Sequence, residues 1–548
     1  MRRIVVAAML GVIFGVVVPT AGAAPSGWAF VGTNAVASSP VRGGGYPVPA
    51  GSTAPLPGTC REGWYDANRS ESALAVKPGS EDLVGASKFF FETFSTFYMF
   101  HLGSYTIQGG VPVSNNQVQG YDCVSTGTQA MPPSWTNNTD PNVDFDTQGR
   151  AYQVTLPFNA YWANLHPNAA VMLSYSDDLG RHWTVGNGGR ALEQVPNQSS
   201  VAFGHVEDKQ WVAVNRCSAC PYRDHVYAAW AVFNGSAIKV RMAVSRDRGA
   251  TFDRAVTVSP PNETGPATTY IYPAVDVAGN VYVSLVSFPP NGGPSLIYVS
   301  RSTDDAKTWG PFVPVTTVGT LPSCCLANTT FRDGIVQSFA ASQTYPGHVF
   351  LAYEEWDGSQ FDVKFRYSLD GGVTWSSAAV VNDAVSSSTT DQFQPTIAAG
   401  PNGAVAVAFY DRREACGSTP GYFTAPGAAN HCINTSLQAY KETATSVAAV
   451  GSNVRISELT WDPEQPAQTI GGIDQMACAS HSNPCRSSAF IGDYFGLAIS
   501  AGNIYGLFVS TAYPSGRTGV NPDGSTGPVY YQQQVLARVS RAAIATGY

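Results

Sequence analysis

Charge is scarce in this 548-residue sequence: only 13% of residues are Asp, Glu, Lys or Arg, and the formal net charge is −8. That excludes the electrostatic footprint of a nucleic-acid-binding protein, which needs a basic surface to displace counterions from phosphates. Any bound anion would need a local cluster of arginines. Long apolar runs are missing too, apart from Ile4 to Val18 at the start. That run falls short of the roughly 20 residues that cross a bilayer comfortably. Arg2 and Arg3 precede it, Pro19 breaks it, and Thr20-Ala21-Gly22-Ala23-Ala24 supplies an Ala-x-Ala cleavage pattern. These three parts predict a secretory signal over residues 1–24. The mature protein is expected outside the cell, as a monomer, with nothing to hold it in a membrane after cleavage. Metal-ligand spacing is absent as well, since Cys217-Ser218-Ala219-Cys220 has no second Cys or His pair to complete a zinc site. No metal or cofactor is expected; Asp-rich turns permit a structural Ca²⁺ without spelling one.

Turn residues are abundant, with 54 Gly and 37 Pro. Such a chain has many turns and few exposed helices. Ten cysteines in an oxidising compartment predict disulfides. Cys416 with Cys432 and Cys478 with Cys485 would each staple an insertion. Cys60 could meet Cys123, Cys217 with Cys220 would close a tight turn, and the neighbours Cys324 and Cys325 either bridge each other or pair elsewhere.

Four segments share the template Ser-x-Asp-x-Gly-x-Thr-Trp: Ser176 to Trp183, Ser245 to Phe252, Ser302 to Trp309 and Ser368 to Trp375. One copy has Ala306 for Gly and one has His182 for Thr. Successive serines are 69, 57 and 66 residues apart, the period of a four-stranded propeller blade with its loops. The Ser and Asp side chains suit a turn closed by side-chain hydrogen bonds, Gly supplies left-handed backbone, and the aromatic packs between sheets. Because the carboxylate recurs, it is structural; an active site is made once. Strand–turn–strand units start near residues 70, 140, 208, 272, 335, 394 and 493. They predict an all-β propeller of four-stranded antiparallel blades, seven in number, or six if a terminal unit serves as closure. The propeller should span residues 60–548, after a flexible segment over 25–59.

These boxes and hairpins resemble the sialidase superfamily of Asp-box β-propellers over nearly all of the mature chain. Further phrases that resemble its secreted bacterial members are Ser70 to Val76, Asp208 to Trp211, Phe331 to Gly334, Phe409 to Arg413 and Ile491 to Tyr494. The resemblance implies a glycosidase that holds a substrate carboxylate with three arginines. It further implies a Tyr nucleophile helped by a Glu, and an Asp as acid/base. Opposite the family's Arg-Ile-Pro phrase stands Ser70-Glu71-Ser72, with Arg69 one residue out of register. On a strand, a one-residue slip sends a side chain to the opposite face.

The innermost strand of each blade lines the central channel, so residues at its entrance share one pocket. That position holds Glu71, Asp208 with Lys209, Tyr272, Arg332, Asp391 with Gln394, and Asp493 with Tyr494. Asp411, Arg412 and Arg413 close a second strand near the same rim. Convergent, non-repeating ionisable groups mark a site. Tyr494 or Tyr272 is the candidate nucleophile, and Glu71, Asp208 or Asp493 the candidate acid/base. Arg332, Arg412 and Arg413, with Lys209 and Asp411, are candidates for substrate binding. The bland alternative is that Arg332, Asp411 and Asp493 form ion pairs tying blades together across the tunnel. The expected partner is an extracellular glycan, with sialic acid or a related acidic sugar as one substrate. A non-catalytic carbohydrate- or protein-binding propeller is the alternative. A polysaccharide lyase recruiting His101, His205 or His225 is a third.

Overall fold

Each of the four Ser-x-Asp turns closes on itself in the same way. The serine hydroxyl donates to the aspartate two residues on, at 2.8, 2.8, 2.8 and 2.7 Å in chain order. The same oxygen accepts the backbone N–H four residues on, from Gly180, Gly249, Ala306 and Gly372. In three copies the following threonine hydroxyl donates to the second carboxylate oxygen at 2.6 Å. Ala306 adopts φ +59° where the other copies have glycine, a left-handed conformation that side chains disfavour. The turn's hydrogen bonds hold it there. Each closing aromatic packs against the preceding sheet: Trp183 is buried with Val84, Ala86 and Leu102 and donates from Nε1 to Ser104 Oγ at 3.2 Å.

The structure, a computed structural model, describes residues 28–38, 47–49, 60–62, 68–90, 100–119, 128–129, 137–158, 169–194, 205–289, 293–319, 326–334, 337–384, 389–418, 423–475 and 490–548. Within these residues lie eight sheets of four or five strands, seven of which form a ring and are antiparallel but for one short edge pair in the first. Their innermost strands are Arg69–Val76, Asn137–Phe145, His205–Val214, Thr268–Val275, Gln337–Ala341, Gln392–Ala399 and Gly496–Ile499. Each packs against the innermost strands before and after it, and the last packs against the first. The sheets therefore stand around one axis, which is the propeller the turn repeat predicts. Small sheets at Pro47–Pro49 with Cys60–Glu62, and at 468–475 with 514–530, lie off this ring.

The ring closes through the chain's beginning. Thr33–Val36 pairs antiparallel with Gln533–Ser540, itself paired with Asn503–Ser510, so the seventh sheet takes its outer strand from the N-terminal segment. Sequence places this stretch in a flexible lead. The structure instead uses it to cover the edge that Gln533–Ser540 would leave bare.

The Cys416–Cys432 staple is formed, and both cysteines are buried beside Phe423. Serine at both positions is expected to cost about 3 kcal/mol by urea unfolding, the size for a loop of this length. Cys217 and Cys220 are free thiols instead of the expected bridge. The Cys220 thiol contacts Asn215 Oδ1 and the Cys217 carbonyl, both at 3.6 Å. The pairings of Cys123, Cys324, Cys325, Cys478 and Cys485 fall outside the described residues.

Candidate active site

Five of the seven innermost strands are interrupted at corresponding places. The register slips by one residue beside Glu71, Asp140, Lys209, Tyr270 and Gln394, so two residues stand opposite one. These five carry positive φ, at 51°, 53°, 55°, 52° and 45°. None is glycine, and such backbone costs of order 1 kcal/mol or more each. A β-bulge re-aims a side chain out of the strand's alternation. Repeated around one axis, it turns unlike side chains toward a common mouth. Gly492, at φ +104°, passes over the first bulge so closely that a Cβ there would fall 2.6 Å from the Glu71 nitrogen. That approach sets Asp493 at the centre.

Asp493 is the hub. Arg332 grips it with both ends of its fork, Nε to Oδ1 at 3.1 Å and Nη2 to Oδ2 at 2.7 Å. The Lys209 ammonium donates to Oδ2 at 2.8 Å and lies 3.8 Å from Asp208. Beside them Lys88 bridges Glu71 at 2.5 Å and Asp140 at 3.2 Å. Aromatic rings line the cluster. Trp211 packs on Tyr272 at 4.5 Å and meets the Tyr494 ring at 5.2 Å, and the Phe490 ring carries Lys88 and Arg332 over it at 4.3 and 4.7 Å.

This crowding splits the carboxyl groups into two kinds. Burial alone would push Asp493 up, but Lys209 and Arg332 overcome it and hold the group at about 2. Asp140 is likewise held down against its burial, by Lys88. Burial raises Asp208, with the Asp140 charge adding to it and Lys209 opposing. Burial and the Asp140 charge raise Glu71 further. Burial also pushes Asp333 up to about 8. Its Oδ2 has no hydrogen-bond partner, while Oδ1 receives a long contact from Gln394 at 3.4 Å. Asp208 is the more accessible proton carrier, with 30% of its side chain exposed against 1% for Glu71.

The Asp333 shift has a consequence for stability. A carboxyl raised in the folded state binds more protons folded than unfolded between about pH 4 and pH 8, so stability falls as pH rises through that window. Asp333→Asn is expected to remove that fall and raise Tm at pH 8 by about 2–5 °C, measured by calorimetry at pH 5 and pH 8.

Glu71, Asp208, Lys209, Tyr272, Arg332, Asp493 and Tyr494 thus meet at the mouth. Asp411, Arg412 and Arg413 have other partners. Arg412 is fully buried, bound to Asp391 at 3.0 Å and to the carbonyls of Ala327, Asn430 and His431. Arg413 pairs with Asp411 and Asp383 at 2.7 Å each and lies 4.8 Å above the Trp28 ring. Asp411 also accepts the Ser436 hydroxyl at 2.9 Å. These three brace the sixth sheet where it enters the Cys416–Cys432 loop. Arg69 lies inside the first sheet, donating to the Tyr105 hydroxyl at 3.2 Å, as its register implies. Tyr494 donates to the Pro141 carbonyl at 3.2 Å, and burial with the Glu71 and Asp140 charges raises it. His225 pairs with Asp305 at 2.9 Å, away from the cluster.

Sequence missed Lys88, Asp140, Tyr270, Asp333 and Phe490. Aligning the innermost strands on their apolar runs would have found Asp140 and Tyr270, which occupy the bulge position. Lys88 comes from the second strand of its sheet, Leu83–Phe90, and no repeat marks it.

Two spaces adjoin the cluster. The larger, about 470 Å³, is the channel along the axis, lined by residues such as Ala73, Val212, Ala274, Ile397 and Leu497. The chemistry surrounds the smaller, a recess of about 20 Å³ between Asp140, Lys209, Trp211, Tyr270, Asp493 and Tyr494. We take the recess as the site, because the ionisable groups converge there and the channel walls are largely apolar.

No protein-family model matches the chain, and no curated protein does. Among solved structures it is similar to a protein of unknown function from Dyadobacter fermentans (13% identity, 68% of this chain and 94% of the other, TM-score 0.41). It is similar to the Penicillium chrysogenum α-L-arabinanase in complex with arabinobiose (12%, 76% and 97%, TM-score 0.39). It is also similar to the Trypanosoma rangeli sialidase in complex with sialic acid (12%, 93% and 60%, TM-score 0.39). At these scores the likenesses carry nothing about activity, and the propeller rests on this chain's own sheets.

Proposed function

We propose that the protein is a secreted glycoside hydrolase working at the propeller mouth. One observation carries this: Lys209 stands between two carboxyl groups of opposite character, Asp493 held ionised and Asp208 raised toward its protonated form. Glycoside cleavage needs that pair, an acid to protonate the leaving oxygen and an anion beside the oxocarbenium-like ring. Asp208 is the acid and Asp493 the anion. The recess holds little more than one water or hydroxyl, so the sugar ring lies above it against Trp211 with one substituent dipping in. Secretion is supported by the basic, apolar and small-residue parts of the first 24 residues and by the Cys416–Cys432 bridge.

The test is release of fluorophore from a panel of 4-methylumbelliferyl glycosides by purified mature protein, with turnover expected on at least one. The pH dependence of kcat/KM, which reports the free enzyme, is expected to follow the two carboxyls. Activity on the acid side is lost as Asp493 protonates, at about pH 2. It falls on the alkaline side as Asp208, raised by its burial, loses its proton.

A non-catalytic glycan-binding propeller is the second reading. It is favoured by the Tyr494 hydroxyl, which bonds a carbonyl instead of a base. Binding of sugars without turnover of any glycoside would establish it.

A further inference from the structure

Three cations stand at the mouth among the described residues, and each already contacts carboxyl groups of the protein. Lys88 serves Glu71 and Asp140, and Lys209 serves Asp493 and Asp208. Arg332, although its side chain is 57% exposed, has one edge of its guanidinium on both oxygens of Asp493 and lies over the Phe490 ring. The other arginines that could have completed a clamp are elsewhere: Arg69 on Tyr105, Arg412 on Asp391, Arg413 on Asp411 and Asp383.

A fork that binds a substrate carboxylate must present paired N–H groups to it. Here the Nε and Nη2 pair already holds Asp493, which leaves a substrate carboxylate only the outer Nη1 edge of a single arginine. An acidic sugar would have to bind at that one edge, beside the ionised Asp493, or displace Asp493 from Arg332 and Lys209 and leave it buried without its partners. Like charges a few ångströms apart in a recess of low dielectric repel strongly. A neutral ring meets no such obstacle. Trp211, Tyr270 and Tyr272 offer it apolar faces, and Asp208 and Asp140 accept hydroxyl protons.

We infer that the site takes a sugar without a carboxylate, a neutral pentose or hexose residue, and rejects sialic and uronic acids. The inference rests on the hydrolase reading for its chemistry, while the occupied donors and the adjacent Asp493 charge apply equally to binding alone.

Two measurements on the mature protein separate these claims. The first is kcat/KM on 4-methylumbelliferyl glycosides of neutral pentoses and hexoses against those of N-acetylneuraminic and glucuronic acid. The second is calorimetric titration with the corresponding free sugars. The expected result is turnover or binding confined to neutral sugars, with a preference of about 100-fold or more over the acidic ones. Binding of a neutral sugar without turnover would support the inference while overturning the hydrolase. Turnover or binding of an acidic sugar at comparable strength would overturn the inference and leave the hydrolase standing. Failure of every neutral sugar in both measurements would also overturn it. In the same titration Asp493→Asn, which releases Arg332 and Lys209, is expected to gain millimolar binding of N-acetylneuraminate. If that variant does not fold, the wild-type panel decides alone.

Discussion

Asp493→Asn is expected to lower kcat/KM on the best glycoside by about 10³-fold or more, the scale for removing a charge aimed at a transition state. The amide keeps the shape of the carboxylate but cannot carry the negative charge that a developing oxocarbenium ion needs. It also presents N–H groups to Arg332 and Lys209, which have only donors. Folding should survive, because Lys209 keeps Asp208 within 3.8 Å and Arg332 is half-exposed. A cost of about 1–3 kcal/mol is expected from the lost charge-assisted bonds. The pH dependence carries a second signature. A carboxylate held low in the folded state contributes stability above its unfolded pKa, and that contribution is lost as pH falls toward about 2. The variant should therefore lose less stability on acidification than the wild type. Kinetics at the pH optimum and calorimetry between pH 3 and pH 7 check both. Wild-type turnover in a folded variant would remove Asp493 from the chemistry.

Arg412→Ala is expected to do the opposite, harming the fold and sparing the site. The side chain is fully buried, and its removal leaves Asp391, also buried, without its guanidinium partner. The carbonyls of Ala327 and Asn430 lose a donor at the same time. Breaking one half of a buried pair costs about 3–5 kcal/mol, equivalent in a chain of this size to about 3–5 °C in Tm. Burial already pulls Arg412 down to about 10, so the charge depends on that pairing. The surviving folded fraction should show an unchanged KM. A raised KM with little change in Tm would instead return Arg412 to substrate recognition.

The propeller was legible because its signal is written many times. Four turns with one hydrogen-bonding scheme and seven strand–turn–strand starts fix the period, and single departures such as Ala306 do not break it. Closure was less legible, since four residues, Thr33–Val36, complete a sheet begun some 460 residues later. Chain-end pairing at that distance leaves no local pattern.

The site was half legible. Glu71, Asp208, Arg332 and Asp493 stand at strand entrances, where charge is conspicuous beside apolar runs. The bulges were not legible, because the left-handed residues are Glu, Asp, Lys, Tyr and Gln, without the glycine that announces such backbone. A bulge shifts which side chain reaches the mouth, which is why Tyr270 and Asp140 were passed over. Arg412 and Arg413 misled for the converse reason. Adjacent arginines at a strand end suggest an open rim, and only the packing of the stapled loop shows that they are enclosed.

The most direct test of the central claim is the leaving-group dependence of Asp208→Asn. With the general acid gone, a glycoside whose leaving group needs a proton should lose about 10²–10⁴-fold in kcat/KM. A 2,4-dinitrophenyl glycoside of the same sugar, whose leaving group departs unaided, should lose less than about tenfold. Equal losses on both substrates, or no loss on either, would contradict an acid at Asp208 and with it the mouth as the place of catalysis.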